Sequence, residues 1–172
     1  HHIASGFAHF FALGIEDEPP WMAETHRAVG QDRQDAEAHL QMEPASWAGM
    51  LREHRRRREP SFLYAVSVLA AARAAGAPEA CEAIAAAVVE LAGDLGILGG
   101  REGLMQRSAI VQAHLAWGLA LAAQGEDRLA LEAYREAEAA MEEPATSVEL
   151  ADLRLAQGRS LRRLGRWSRA AA

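Results

Sequence analysis

Apolar residues run through this chain in long blocks, interrupted by Arg, Glu or Gln and cut at short intervals by Gly and Pro. That pattern predicts many helices joined by short links. A first short helix is expected over about Ser5 to Leu13, ending at Gly14. After "EDEPP", Pro20 suits the first turn of the next segment, where its missing N–H costs nothing. That segment, Trp21 to Gln41, is helical by composition but carries Gly30 in its middle, so it reads as one helix or two. "EPAS" breaks the chain, and Ser46 is a candidate N-cap for a helix to about Arg58. Pro60 ends that helix, and Ser61 can cap "FLYAVSVLAAARAA", which stops at Gly76. Pro78 opens "EACEAIAAAVVELAGDL", and "GILGGREG" follows as the most obvious flexible joint. Next come "LMQRSAIVQAHLAWGLALAAQ", Gly125, "DRLALEAYREAEAAMEE", a break at Pro144, and "SVELADLRLAQGRSLRRL" to Gly165. A last helix is expected from near Trp167. Strand signals are nearly absent, and no apolar stretch reaches the roughly 20 residues of a membrane span. The expectation is a soluble all-α protein without membrane contact.

Composition strengthens that expectation. The chain has 172 residues, half of them hydrophobic, enough for a real core in one domain. Alanine supplies 39 of them, which favours helices that approach closely. The formal net charge of −6 argues against nonspecific nucleic-acid binding, which needs basic surface to displace counterions. Cys81 is the only cysteine, so no intrachain disulfide and no Cys-rich zinc site can form, and a reducing cytoplasm fits. All the basic charge is Arg, and both Lys and Asn are missing, as expected of a GC-rich, bacterial genome. His1 and His2 read as a tag remnant and are set aside from site reasoning. A start without Met and an end at "RAAA" lead to the expectation of a piece of something larger.

The chain also echoes itself. Gly118 and Gly158, Leu121 and Leu161, Gly125 and Gly165, and Ala130 and Ala170 are four pairs, each 40 residues apart. The first copy reads His114-x2-Trp117-Gly118-x2-Leu121, then Ala130-x3-Tyr134 and Ala137, with Pro144 beyond. The second reads Arg154-x2-Gln157-Gly158-x2-Leu161, then Trp167 and Ala170. Over residues 111 to 172 this resembles the tetratricopeptide repeat, whose small residues let two antiparallel helices pack tightly. A fainter hairpin surrounds Gly76, with Leu69 in place of the small residue and Ala72, Cys81 and Ala85 at the others. The 40-residue spacing exceeds the family's roughly 34 and is similar to long repeats in the sensor arms of large bacterial transcription regulators. The resemblance implies a right-handed solenoid of stacked hairpins over residues 61–172, with residues 1–60 as a helical cap or a degenerate repeat. Solenoids need several stacked units, so the chain is expected to continue in a longer protein or to pair with itself.

The same resemblance implies where a partner would sit. In such solenoids the first helix of each hairpin lines the concave side. That side would include Leu63, Val66 and Arg73, then Gln112, Leu115 and Leu119, then Asp152, Leu155, Arg159, Arg162 and Arg163. The implied surface is an apolar groove turning basic toward its C-terminal end, suited to a protein or peptide partner of acidic character. The carboxylate clamp for chaperone tails is excluded, because it uses Lys and Asn side chains and this chain has neither.

Chemistry finds less purchase. No HExxH is present, no Glu-x-x-His pair, and no two His at i, i+4, so His9, His26, His39, His54 and His114 predict no metal site. Cys81, in "PEACEAIAAA", is flanked by Glu79 and Glu82, which do not favour a thiolate, and it reads as core. "GILGGREG" lacks the GK[ST] ending of a phosphate loop. "REHRRRREP", residues 52–60, reads as a solvated last helical turn or as a docking patch for an acidic partner. No catalytic residue and no cofactor are expected. The expected role is an interaction module without enzymatic activity, and the rivals are a small-ligand sensor domain and a helical-bundle enzyme.

Overall fold

In the computed structural model of the protein, residues 20–141 and 147–165 are described, with side chains from 30 to 141 and from 150 to 165. The expected helix over Ser5 to Leu13 and the one from Trp167 lie outside them. The described residues form seven α-helices and no strand. These are α1 (Pro20–His39), α2 (Trp47–Glu53), α3 (Pro60–Arg73), α4 (Pro78–Asp94), α5 (Gly100–Ala123), α6 (Asp127–Ala140) and α7 (Ser147–Arg163), with a 3-10 turn at Pro44–Ser46. None is long and apolar enough to cross a membrane. The chain divides into two compact units, residues 1–31 and 32–172. Residues 32–60, part of the segment read from the sequence as a helical cap or a degenerate repeat, fall in the same unit as residues 61–172.

Proline and glycine set the boundaries. Helix α1 begins at Pro20 and runs unbroken through Gly30. Pro60 and Pro78 each occupy the first turn of a helix, where no N–H is needed. Gly125 ends α5 with φ +84, while Glu126 N–H donates to the Leu121 carbonyl at 2.9 Å and Gly125 N–H to that of Ala122 at 3.2 Å. This is the Schellman ending, whose left-handed residue glycine adopts without strain. Gly165, 40 residues on, has φ +71 and donates to the Arg162 carbonyl at 2.9 Å. Gly76 does not share the left-handed conformation, so the first hairpin turns differently.

Helix α5 is the organiser. It packs against α3, α4, α6 and α7, while α3 lies on α4, α2 on α4 and α6 on α7. Two apolar clusters form around it. One gathers Leu51, Phe62, Leu63, Val66, Ile84 and Val88 with Ala109, Ala113, Ala116 and Ala120 of α5. The other gathers Val111, Leu115 and Leu121 of α5 with Leu131, Tyr134 and Leu153. The entry to α5 is tied to the exit of α4: Gln106 Nε2 donates to the Ala92 and Gly96 carbonyls, both at 2.7 Å. The Ala92 carbonyl is one that a helix end leaves without an intrahelical partner. Gly103 lies against the Leu98 carbonyl so closely that a Cβ would collide with it. The "GILGGREG" stretch is therefore a fastened corner, with its last four residues already helical.

Two expected boundaries shift. Ser46 gives α2 no side-chain cap; its Oγ donates instead to the Glu43 carbonyl at 2.7 Å. Helix α2 stops at Glu53 rather than near Arg58, because His54 turns extended with ψ 138. Ser61 is inside α3, whose N-cap position falls on Glu59.

Candidate functional site

Among the described residues, a shallow groove of about 250 Å³ opens across α3, α5 and α7. Ala71, Ala72, Ala74 and Ala75 form one wall, Leu119, Ala122 and Ala123 another, and Ala156, Arg159 and Arg163 the third, with Tyr134 of α6 beneath. Its depth comes from side chains that stop at Cβ where three helices meet. A Leu in place of any floor alanine would fill much of it.

Tyr134 is held from two sides. Its ring lies on the bare backbone of Gly118, where a Cβ would overlap the ring carbons. Its hydroxyl lies near Ser160, which is itself fully buried. Ser160 accepts from Arg163 Nη2 at 3.3 Å. Arg163 Nε donates to both oxygens of Asp127 at 2.9 Å, and its Nη2 to Oδ1 at 2.6 Å. The pair ties the start of α6 to the end of α7. The Arg163 guanidinium, helped by Ser160, holds the Asp127 carboxyl below its usual range despite burial. Burial pushes the Tyr134 hydroxyl up to about 12, so it stays protonated and is no base at neutral pH.

Three of the expected partner-binding residues reach this groove: Leu119, Arg159 and Arg163. Arg159 is exposed and pairs with no carboxylate among the described residues, whereas Arg163 is committed to Asp127. Leu63 and Val66 are fully buried, on the same stripe of α3 as Ala70, and Gln112 and Leu115 are buried on α5. Those four side chains belong to the core and offer no surface to a partner. Arg73 folds back to donate to the Leu69 carbonyl at 3.1 Å. Asp152, Leu155 and Arg162 are exposed on α7 outside the groove. The sequence marked Ala72 and Tyr134 only as packing residues of the repeat, and it did not mark the other alanines of the groove. Their signal was present in "LAAARAA" and "LALAAQ", but an alanine facing a groove and one facing a core look alike until the helices are placed.

Other candidates resolve into structure. Cys81 is fully buried, its Sγ 3.3 Å from the Ala70 carbonyl and 3.5 Å from that of Ala116, and burial pushes the thiol up to about 12. It is inert core, as the sequence indicated. No group of three metal-ligating side chains occurs among the described residues. The basic run 52–60 begins on the exposed last residues of α2 and continues as a turn whose Arg56 is only 15% exposed and ion-paired to Asp32, Asp35 and Glu59. Arg52 reaches Glu90 on α4 at 2.8 Å. No protein-family model, no curated protein and no solved structure matches the chain.

Proposed function

We propose that the chain is a helical interaction module that receives an acidic segment of a protein or peptide in the groove across α3, α5 and α7. The observation that carries this is the pairing of an apolar floor with an exposed arginine, Arg159, that has no carboxylate partner among the described residues. An apolar side chain of the partner would sit on the alanines, and a neighbouring carboxylate would meet Arg159 in a charge-assisted hydrogen bond. The volume favours this over a metabolite sensor: about 250 Å³ falls below the roughly 300–1,000 Å³ of small-molecule sites, yet holds one side chain. The reading assigns no catalytic step, since the groove's polar groups are two guanidiniums and a phenol that stays protonated.

In this proposal the helices stack as tetratricopeptide-like hairpins, α3 with α4 and α5 with α6, and α7 opens a third. Supporting this are the left-handed glycines 40 residues apart, the Gly118–Tyr134 contact, and a groove lined chiefly by the first helix of each hairpin. The long repeat suits the sensing or assembly arm of a bacterial cytoplasmic regulator.

The test is selection from a displayed library of random 12-residue peptides, followed by fluorescence anisotropy of the enriched sequences. Peptides pairing Asp or Glu with an apolar residue are expected, binding more weakly by about tenfold to Arg159→Glu and to Ala123→Trp, in keeping with the roughly 1–2 kcal/mol of one charge-assisted contact. Enrichment without acidic residues, or unchanged affinity for both variants, sinks the proposal.

A further inference from the structure

The turn 54–59 joins α2 to α3 and gathers ionisable side chains against the C-terminal half of α1. The Arg56 guanidinium donates to Asp32 and Asp35 on α1 and to Glu59 in the turn, and lies 5.3 Å over the Phe62 ring. The His54 ring stacks on Phe62 at 4.5 Å and meets the edge of His39 at 5.8 Å. His39 is buried, and its Nε2 bonds the Trp47 carbonyl at 2.9 Å; a carbonyl only accepts, so Nε2 carries the hydrogen. Arg56 backbone N–H donates to His54 Nδ1 at 3.2 Å, so that nitrogen must keep its lone pair.

We infer that His54 and His39 form an acid-released latch, in which a proton on His54 Nδ1 turns an acceptor for the Arg56 N–H into a competing donor, opening the bend within the turn that presents the Arg56 guanidinium to Asp32 and Asp35. The latch is independent of the groove. The released state also gains a cation beside Arg56 and His39, so the ion cluster that seats Arg56 loosens with it. Around His54, Asp35 favours the proton, while burial, His39, Arg55 and Arg56 oppose it. Arg57 Nη1 bonds the His54 carbonyl at 3.3 Å, adding a further cation to the turn. From α3 the ring meets the uncharged Phe62. Burial opposes protonation of His39 as well, against the Trp47 carbonyl.

Both rings therefore bind protons less readily in the closed state than in the open one. The latch is fully closed above the ordinary histidine value of 6.5 and opens as pH falls below it. Each histidine raises the opening equilibrium by at most about tenfold per pH unit in that window.

Amide hydrogen exchange of the whole chain at pH 7.5 and 5.5, corrected for intrinsic rates, tests it. Peptides within 32–39 and 54–62 are expected to lose protection by about tenfold to a hundredfold at pH 5.5, one to two protons' worth over one unit. His54→Asn keeps an oxygen acceptor near the Nδ1 position without titrating, and should abolish most of the loss. His114→Gln, which removes a distant part-buried histidine, should retain it. No loss in the wild-type chain overturns the latch, whatever the variants do. So does an equal loss in His54→Asn, or disappearance of the loss in His114→Gln.

Discussion

Gly118 and Gly158 hold the same place in the 40-residue register, but only Gly118 lies under a ring. At Gly118 the Tyr134 ring occupies the space a methyl would need, and Tyr134 is fully buried and cannot easily retreat. At Gly158 nothing approaches within 4 Å of where a Cβ would stand. Alanine substitution should therefore have opposite signs at the two positions. Gly118→Ala is expected to cost about 2 kcal/mol through overpacking of a buried ring. Gly158→Ala should stabilise by about 0.5–1 kcal/mol, the helix preference of Ala over Gly. Urea unfolding at constant m-value reads both. A loss at Gly158 comparable to that at Gly118 would mean that residue spacing, rather than the local contact, governs the site.

Among the elements, the link between α2 and α3 departs furthest from its sequence expectation. Five arginines in "REHRRRREP" look alike as text, and the sequence reads them as one run, a solvated helix end or a docking patch. Tertiary packing separates them: Arg55 and Arg58 are exposed, while Arg56 is drawn in by Asp32, whose side chain is only 6% exposed, and by Asp35. Arg56→Ala would strand the Asp32 carboxylate in a buried place. The expected cost is about 3 kcal/mol, the usual penalty for removing one partner of a buried pair. Arg55→Ala and Arg58→Ala should each stay within about 0.5 kcal/mol of wild type, as exposed substitutions do. Thermal unfolding of the three variants separates these values, and equal shifts would return the run to a solvated face. Serine at 46 and 61 illustrates the same limit. Each residue can cap, but the chain's path decides where the helix starts, and at α3 Pro60 had already set it.

At the level of the whole molecule, α5 carries residues of both apolar clusters on one continuous helix. Disturbing either cluster therefore disturbs the helix that builds the other. Ile84→Ala in the first and Leu153→Ala in the second should each cost about 2–5 kcal/mol and lower a single shared transition. Coincident unfolding curves by far-UV circular dichroism and tryptophan fluorescence are the check. Two separated transitions in either variant would show that the clusters fold independently.

Sequence alone determined the all-helical character, the prolines and glycines at most helix ends, and the buried, inert setting of Cys81. These follow from local causes: alanine's helix preference, a missing N–H, a left-handed turn, a small side chain in an apolar run. Of the residues that line the groove it had named Leu119, Arg159 and Arg163. It set Leu63, Val66, Gln112 and Leu115 on a partner surface although they are buried, it marked Tyr134 only as a packing residue, and it could not single out Arg56. Those depend on which helix covers which stripe, and on where carboxylates from distant segments arrive. Burial and charge pairing are properties of converging surfaces, so only the tertiary structure decided them.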